Sequence, residues 1–369
     1  MNKRVLVTGG CGFIGRHLTR ELLDNGYQVR VLDSLIDQVH GGTEAQLDPR
    51  VELFRGDVRD AMVVRPALID VDMVVHLAAE VGVGQSMYEI ARYVGANDLG
   101  TAVLLEEIAR TQISRIVVAS SMSVYGEGLY EDSQGRLHNN VRRNVLQIGP
   151  GAWEPLDQQG HPLAPVATDE EKPVDLASIY ALTKYAQERA VMIFAEAYRR
   201  EAVALRLFNV FGPGQALSNP YTGVLANFAS RLAAGQPPMI FEDGRQRRDF
   251  VHVRDVARAF RLALEKQQAE GHVINIGSGI SWSVAEVARL LAEAMNVPEI
   301  APEILGKARA GDIRNCFADI SKARELLGYQ PQHPLDGSLG ELAAWVREAG
   351  GTDRGPEMRR QLEERGLVS

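Results

Sequence analysis

Short apolar runs alternate along the chain with longer stretches in which apolar residues recur at helical spacing. The first run, residues 3–8, leads into a helical pattern over about Phe13 to Asn25 and then into a second apolar run, 28–32. Short apolar strands that alternate with helices are typical of a parallel sheet. The pattern therefore predicts an α/β fold built on a doubly wound parallel sheet. Further strands are predicted at Val51 to Gly56, Met73 to Ala79, Arg115 to Ser120, Val203 to Phe208 and Val273 to Ile276, and further helices at Asn97 to Thr111 and Ile179 to Arg200.

The length of 369 residues is enough for a large core and two lobes. The chain returns to the predicted sheet near Phe250 to Lys266 and again near Val273 to Gly277. We therefore expect the smaller C-terminal lobe, which would bind substrate, to be discontinuous. The predicted bounds are 1–212 plus about 246–279 for the sheet domain with an inserted excursion at 127–168, about 213–245 plus 280–348 for the second lobe, and 350–369 for a charged tail.

A glycine-rich turn follows the first strand directly. Gly9, Gly12 and Gly15 give the pattern G-x-x-G-x-x-G, and Gly10 in place of Gly9 gives G-x-G-x-x-G. Glycine lets the backbone turn tightly and approach a pyrophosphate closely, while the next helix offers its positive N-terminus to the phosphates. The order of strand, turn, helix and strand predicts a Rossmann dinucleotide site.

The second strand ends on Asp33, where a carboxylate would accept hydrogen bonds from the adenosine ribose. A carboxylate repels a 2′-phosphate, and no arginine follows Asp33 immediately. The cofactor is therefore predicted to be NAD rather than NADP.

Tyr180 and Lys184 are four residues apart on a predicted helix, so they lie on one face. Tyrosine is a poor base at neutral pH, but an adjacent ammonium favours the phenolate, and a bound nicotinamide would add a second positive charge. An isolated Y-x-x-x-K pattern is weak, because both residues are common on solvated helix faces. Here Ser120, Ser121 and Ser123 end the preceding strand and supply hydroxyls where a substrate carbonyl or alcohol would lie. Together with the glycine turn they predict a hydride-transfer enzyme.

Composition narrows the range of partners. The net charge of −8 and pI near 5.6 leave no basic footprint for nucleic acid. Cys11 and Cys316 are the only cysteines, which excludes a disulfide framework and a cysteine-based metal cluster and favours a reducing cytoplasm. Because no apolar stretch approaches the length of a membrane span, we expect no membrane anchor or signal peptide.

Over residues 3 to 345 the chain resembles the extended short-chain dehydrogenase/reductase family, in its nucleotide-sugar epimerase and dehydratase branch. The resemblance rests on many motifs in the family's order: Thr8 to Gly15 (T-G-G-x-G-F-I-G), Gly56 to Asp60, His76 to Ala79, Asn97 to Thr101, Ser120 to Gly126 (S-S-M-S-V-Y-G), Tyr180 to Lys184, Leu205 to Gly214, Arg247 to Ala257, Asn275 to Gly279 and Gly311 to Arg324.

The resemblance implies a catalytic set of Ser121, Tyr180 and Lys184. It also implies that Ser121, Ser123, Asn209, Arg248 and Arg309 bind substrate, the two arginines through its diphosphate. No metal is predicted. The predicted cofactor contacts are Gly9, Gly12, Phe13, Ile14, Gly15, Asp33, Ser34, Asp57, Val58, Leu77, Ala78, Ala79, Asn97, Ser120, Tyr180, Lys184 and Phe208.

The reaction type follows partly from which side chains are absent. Sugar 4,6-dehydratases of the family need an acid and base pair beside the catalytic hydroxyl, and Met122 and Ser123 occupy those positions. What remains is redox-neutral chemistry on retained NAD, of which 4-epimerisation through a 4-keto sugar is the simplest form.

The motifs are most similar to those of dTDP-L-rhamnose 4-epimerase-like proteins, with UDP-glucose and UDP-glucuronate 4-epimerases as close alternatives. A UDP-hexuronate decarboxylase and a non-catalytic NAD-binding member also remain open, as do the base, the sugar and the direction. The excursion at 127–168 is either a surface feature or a cap over the sugar pocket. By analogy with the family, we expect a homodimer that packs through helices near 97–111 and 179–200.

Overall fold

The computed structural model describes residues 3–40, 47–143, 151–215, 217, 223–308, 312–349, 360, 364 and 365. Arg309 and most of the tail at 350–369 therefore lie outside the described residues. The strands are β1 (Arg4–Thr8), β2 (Gln28–Asp33), β3 (Glu52–Arg55), β4 (Met73–His76), β5 (Arg115–Ser121), β6 (Leu129–Glu131), β7 (Leu137–His138), β8 (Ala164–Val166), β9 (Glu201–Leu207), β10 (Asn209–Phe211), β11 (Met239–Ile240), β12 (Arg247–His252), β13 (Val273–Ile276), β14 (Ser281–Ser283), β15 (Glu303–Ile304) and β16 (Asn315–Cys316).

Helices connect most of these strands. They are α1 (Phe13–Asp24), α2 (Asp37–His40), α3 (Ala61–Ala67), α4 (Val83–Ser86), α5 (Ile90–Tyr93), α6 (Gly100–Ile108), α7 (Ile179–Tyr198), α8 (Val224–Ala233), α9 (Val253–Glu265), α10 (Val284–Ala294), α11 (Ser321–Leu327) and α12 (Leu335–Ala349). Within the described part of the chain, none of them combines the length and the hydropathy that a membrane span requires.

The central sheet is parallel throughout, in the order β13-β9-β5-β4-β1-β2-β3. The strand order reverses direction between β1 and β4, so the connections leave these two strands towards opposite sides. A crevice opens at the carboxyl ends of strands at such a switch point, and ligands of doubly wound sheets bind there.

Two cores cover the two faces of this sheet. Val5 and Val7 of β1 join the core on the side of α1 and α9, whereas Leu6 between them joins the core with α3, α6 and α7. All three side chains are fully buried. Burial of one such side chain contributes roughly 1.5–3 kcal/mol, so the run of β-branched and leucine residues explains why this segment forms a central strand.

A second, smaller sheet lies beyond the carboxyl edge. It has the order β10-β12-β14, with β16 also paired to β12. Its core is closed by α8, α10 and α12. After β12 the chain returns as α9 to the face of the main sheet, and β13 then joins β9 at the edge of that sheet. The predicted bounds of the two lobes stay a prediction.

Part of the excursion at 127–168 folds as a small sheet in the order β7-β6-β8 around buried Tyr130 and Leu163. The excursion is fastened where it begins and ends, because Gly128 N donates to Asn315 O and Thr168 N donates to Phe317 O. Of its described residues, 127–143 and 151–168, none lines the cavity described below. The described part therefore braces the second sheet rather than covering the cavity.

Candidate active site

A cavity of about 700 Å³ follows the carboxyl edge of the central sheet and continues towards the second sheet. Nearly all of the site residues predicted from the sequence line this cavity, although they come from segments far apart in the chain. The nominated residues that line it are Gly9, Gly12, Phe13, Ile14, Gly15, Asp33, Ser34, Asp57, Val58, Leu77, Ala78, Ala79, Ser120, Ser121, Ser123, Tyr180, Lys184, Phe208, Asn209 and Arg248.

Asn97 differs from these residues, since it lies behind the cavity wall. It belongs to a π-helical turn, Val94–Leu99, that precedes α6, and it is fully buried. Its Oδ1 accepts from Glu80 N at 2.7 Å, and its Nδ2 donates to Thr183 Oγ1 at 2.9 Å. Asn97 therefore holds the loop after β4 against α7, and it does not itself line the cavity.

The glycine turn has the close packing that a dinucleotide cradle requires. A Cβ on Gly9, whose φ is +70°, would lie 2.8 Å from Ala78 N, and a Cβ on Gly15 would lie 2.5 Å from Gly10 Cα. Gly12 is the N-cap of α1 and supplies no side-chain cap, which leaves the first amides of the helix open to an anion. These residues fit the pyrophosphate of NAD.

Asp33 closes the other side of this cradle. One carboxylate oxygen accepts from Cys11 N at 2.9 Å, and the other accepts from Leu35 N at 2.9 Å and lies 3.6 Å from His40 Nε2. Burial by itself raises the pKa of Asp33, but the adjacent His40 and the hydrogen bonds from Leu35 N and Cys11 N outweigh it and hold the pKa below its ordinary value. The carboxylate is thus charged at neutral pH and fits a ribose diol.

Helix α7 brings the predicted catalytic pair, Tyr180 and Lys184, to the wall of the cavity. Ser178 caps the helix by accepting from Ala181 N, so the next turns present Tyr180 and Lys184 on the side of β5. Ser121 ends β5, and its Oγ accepts from Ser123 Oγ at 2.8 Å. Burial raises the pKa of Tyr180, and a hydrogen bond with Ser121 acts in the opposite direction. Phenolate formation therefore depends on positive charge nearby.

Lys184 is the protein's source of that charge. Burial lowers its pKa to about 7, while the charge of Glu188 acts the other way. The Nζ atom donates to Gln187 Oε1 at 2.7 Å. Ammonium and neutral amine are therefore both accessible near neutral pH, which suits a group that tunes a neighbouring acid.

The side chain of Ser120, unlike those of Ser121 and Ser123, makes a structural hydrogen bond to α7. Its hydroxyl donates to Glu188 Oε2 at 2.7 Å, and Arg206 pairs with both oxygens of the same carboxylate. The Ser120 side chain is thus engaged in fastening β5 to α7 and β9, and only its backbone is left to face a cofactor.

The far end of the cavity carries polar atoms that fit a substrate. Asn209 Oδ1, Gln215 Oε1 and Gln246 Oε1 are buried, line the cavity, and have no hydrogen-bond partner within the described ranges. Arg248 is held by the carbonyl oxygens of Ile313 and Arg314 at 2.6 and 2.8 Å and pairs with no carboxylate among the described residues. A guanidinium with N–H groups to spare and no counter-charge is suited to a phosphate.

Sequence reasoning missed several residues of the site. Gln215 and Gln246 were not nominated, and neither was His40 beside Asp33. Gln187 was also missed, although it follows Tyr180 by seven residues and Lys184 by three, a spacing that keeps all three on one helix face. That periodicity is the signal that would have found it.

Comparison with known proteins agrees with this geometry. The sequence model of the NAD dependent epimerase/dehydratase family matches residues 5–277. A dTDP-L-rhamnose 4-epimerase of Burkholderia thailandensis is 36% identical over 353 residues, which cover 94% of this chain and 95% of that protein.

Solved structures agree as well. A UDP-glucose 4-epimerase of Thermus thermophilus in complex with NAD superposes with a TM-score of 0.75 at 30% identity, over 94% of this chain and 99% of that one. A UDP-glucuronic acid 4-epimerase of Bacillus cereus, in complex with UDP-glucuronic acid and NAD, has a TM-score of 0.77 at 28% identity, with the same coverage.

These matches confirm the Rossmann fold and the resemblance predicted from the sequence, and they confirm NAD dependence at the level of the family. The chain belongs to the NAD dependent epimerase/dehydratase family of the extended short-chain dehydrogenases/reductases.

Proposed function

We propose that this protein is an NAD-dependent nucleotide-sugar 4-epimerase. One observation carries the proposal: a single cavity joins the glycine turn and Asp33 to Ser121, Tyr180 and Lys184, and continues to Arg248. NAD supplies a hydride acceptor and donor when it is bound at the first of these places. The remaining chemistry belongs to the side chains.

Tyr180 is the acid and base of the reaction. Its phenolate takes the proton of the sugar C4 hydroxyl as C4 is oxidised, and its phenol returns a proton when C4 is reduced on the other face. Ser121 donates a hydrogen bond to the same oxygen as it becomes a carbonyl. The Lys184 ammonium stabilises the phenolate, whose formation burial opposes.

Arg248 holds the diphosphate while the 4-keto ring turns over between the two steps. Asn209, with its buried and unpartnered Oδ1, is a second polar contact for the substrate. Anchoring through the nucleotide leaves the sugar with few rigid contacts, which epimerisation requires. The role of Arg309 belongs to the same proposal, although its position lies outside the described residues.

Dehydration is the less suitable reaction for this site. Met122 and Ser123 follow Ser121 in the short 3-10 turn after β5, and neither offers a carboxyl group for the elimination of water. The substrate is a dTDP- or UDP-hexose, and the relative from Burkholderia favours dTDP-L-rhamnose as the first to test. The alternatives are a UDP-glucuronate 4-epimerase or decarboxylase and a non-catalytic NAD-binding protein.

A homodimer in the cytoplasm completes the proposal. The helices near 97–111 and 179–200 expose large apolar side chains: Leu99 is 53% exposed, Leu182 46% and Ile193 56%. Leu182 and Ile193 are eleven residues apart on α7, which sets them on one face. The two cysteines are unpaired and buried, in keeping with a reducing compartment.

The proposal is tested with purified protein, a panel of dTDP- and UDP-sugars and no added reductant, with products followed by proton NMR. Conversion of one sugar to its C4 epimer is the expected result. Release of carbon dioxide from a UDP-hexuronate would establish the decarboxylase instead, and bound NAD without conversion of any sugar would favour the non-catalytic alternative.

A further inference from the structure

Gln187 lies directly behind the catalytic pair, one turn beyond Lys184 on α7, and is 1% exposed. Its Oε1 accepts from Lys184 Nζ at 2.7 Å. Its Nε2 donates to Thr101 Oγ1 at 2.9 Å and to Ala78 O at 3.3 Å. A reversed amide would set N–H groups against the ammonium and an oxygen against the Ala78 carbonyl. The surroundings therefore fix the orientation of this amide.

The partners of Gln187 belong to a buried polar network. Thr8 Oγ1 accepts from Ala78 N at 3.2 Å and lies 2.7 Å from His76 Nδ1. His76 Nε2 lies 2.9 Å from Thr101 Oγ1 and 3.2 Å from Gln187 Nε2. Burial and, to a smaller extent, the charge of Lys184 together lower the pKa of His76 to about 3. The network is thus neutral and adds no charge beside Lys184.

We propose that Gln187 is a positioning residue, which holds the Lys184 ammonium in place for Tyr180 and ties it to the Ala78 backbone at the cofactor end of the cavity. This inference rests on the proposed function only in taking Lys184 as the group that assists Tyr180. The charged or titratable groups that face Lys184 and Gln187 are Glu188 and Tyr180 on α7 and His76 on β4.

A neutral amide is well suited to this task. Burial favours the uncharged amine of Lys184, and an acceptor at 2.7 Å favours the ammonium instead. A carboxylate in the same place would also retain the ammonium, but its negative charge would oppose the phenolate of Tyr180. Gln187 therefore retains the positive charge of Lys184 at no such cost.

The inference is tested by titrating Lys184 directly in the full-length protein. The chain contains six lysines, so ε-¹³C-lysine labelling gives six resonances, and Lys184→Arg identifies the one that matters. We expect its midpoint near 7 in the native protein. Gln187→Met should lower the midpoint and Gln187→Glu should raise it, each by about one unit or more, since a hydrogen bond to a charged group contributes about 1.5–3 kcal/mol.

The same two variants should move the limb of the pH–rate profile that reports Lys184 in the same opposite directions. Gln268→Met and Gln268→Glu are matched controls, because Gln268 is exposed after α9 and the changes in charge are identical. Gln187→Asn, which keeps the amide but shortens it, should act like Gln187→Met and serves if the latter folds poorly.

An unchanged Lys184 midpoint in the Gln187 variants, with only a lower melting temperature, would overturn the inference and leave Gln187 a purely structural residue. The titration needs no turnover. If the midpoint moves as expected while the native protein converts no sugar, the positioning role stands and the proposed function fails.

Discussion

Tyr180 is the residue on which the proposed chemistry depends, and its own burial opposes its role. Burial raises its pKa, so its activity as a base relies on Ser121, on Lys184 and on the positive charge that NAD contributes when bound. We expect Tyr180→Phe to lower kcat by about a hundred- to ten-thousand-fold, the usual contribution of a general acid or base. The melting temperature and NAD content should stay near those of the native protein.

Tyr185→Phe is the control, since Tyr185 lies on the same helix and packs on the core beneath. Steady-state rates and retained NAD are measured for both variants. Equal losses in the two variants would show that helix packing, rather than the Tyr180 hydroxyl, limits the rate.

Asp33 is the residue that we predict selects NAD over NADP. Because its folded pKa is depressed, its contribution to stability is present above the unfolded value of 3.8 and is lost as the pH falls through the lower folded value. The carboxylate should therefore hold NAD equally well between about pH 5 and about pH 8. Asp33→Asn should weaken NAD binding by about ten- to a hundredfold and reduce the preference over NADP.

Isothermal titration of cofactor-free protein with NAD and with NADP measures both effects. Asp37→Asn is the matched control, because Asp37 is exposed on the neighbouring α2 and carries the same charge. An Asp33→Asn protein with native NAD affinity would contradict the assignment.

Among the elements, the contact between the excursion and the second sheet depends strongly on one buried side chain, Arg314. Arg314 is fully buried beside β16 and pairs with Glu154 of the excursion and with Glu242 and Asp243 before β12. Glu242 is 1% exposed and keeps only Arg143 as a charge partner when Arg314 is removed, so its buried negative charge is less well compensated. We expect Arg314→Met to lower the free energy of unfolding by about 3–5 kcal/mol.

Denaturant unfolding of both the variant and an exposed control measures this loss. Arg289 pairs with Glu293 on the surface of α10, and Arg289→Met should cost less than about 1 kcal/mol. A similarly small loss in Arg314→Met would mean that the ion pairs of Arg314 with the excursion and with Glu242 and Asp243 contribute nothing to stability.

Most of the strands and helices could be predicted from the sequence alone, but some of their ends could not. The predicted strands at 115–120 and 273–276 agree with β5 and β13, and the predicted helix at 179–200 agrees with α7, because hydrophobic period and capping are local signals. The predicted strand Met73 to Ala79 ends early, at His76, and a π-helical turn replaces the start of the predicted helix at Asn97. At both places the chain contacts α7, through the bonds of Asn97 to Thr183 and of Ala78 to Gln187, and no local pattern contains such contacts.

Some residues of the candidate site could likewise be predicted from the sequence, and others could not. The glycine turn, Asp33, Tyr180 and Lys184 follow from spacing, because each motif carries its chemistry within a few residues. The Arg314 cluster joins segments that are far apart in sequence, and its pairing depends on the packing of the second sheet. Such contacts are visible only once the chain is folded.

For the whole molecule, the exposed apolar face of α7 predicts a dimer. Ile193→Glu would place a charge in that interface, and a buried unpaired charge is costly. We expect the variant to sediment as a monomer where the native protein sediments as a dimer. Ile304→Glu is the control, since Ile304 is 47% exposed on β15, outside α7. Identical sedimentation of both variants would exclude α7 from the interface.

We propose that the protein oxidises and re-reduces a nucleotide sugar at C4 with its own retained hydrogen. The measurement that tests it most directly is the turnover, in ordinary water, of dTDP-L-rhamnose and its UDP counterparts labelled with deuterium at C4. We predict a product epimerised at C4 that keeps its deuterium, with no solvent hydrogen at any sugar carbon. Loss of the label to solvent, or an epimer formed at another carbon, would contradict the account.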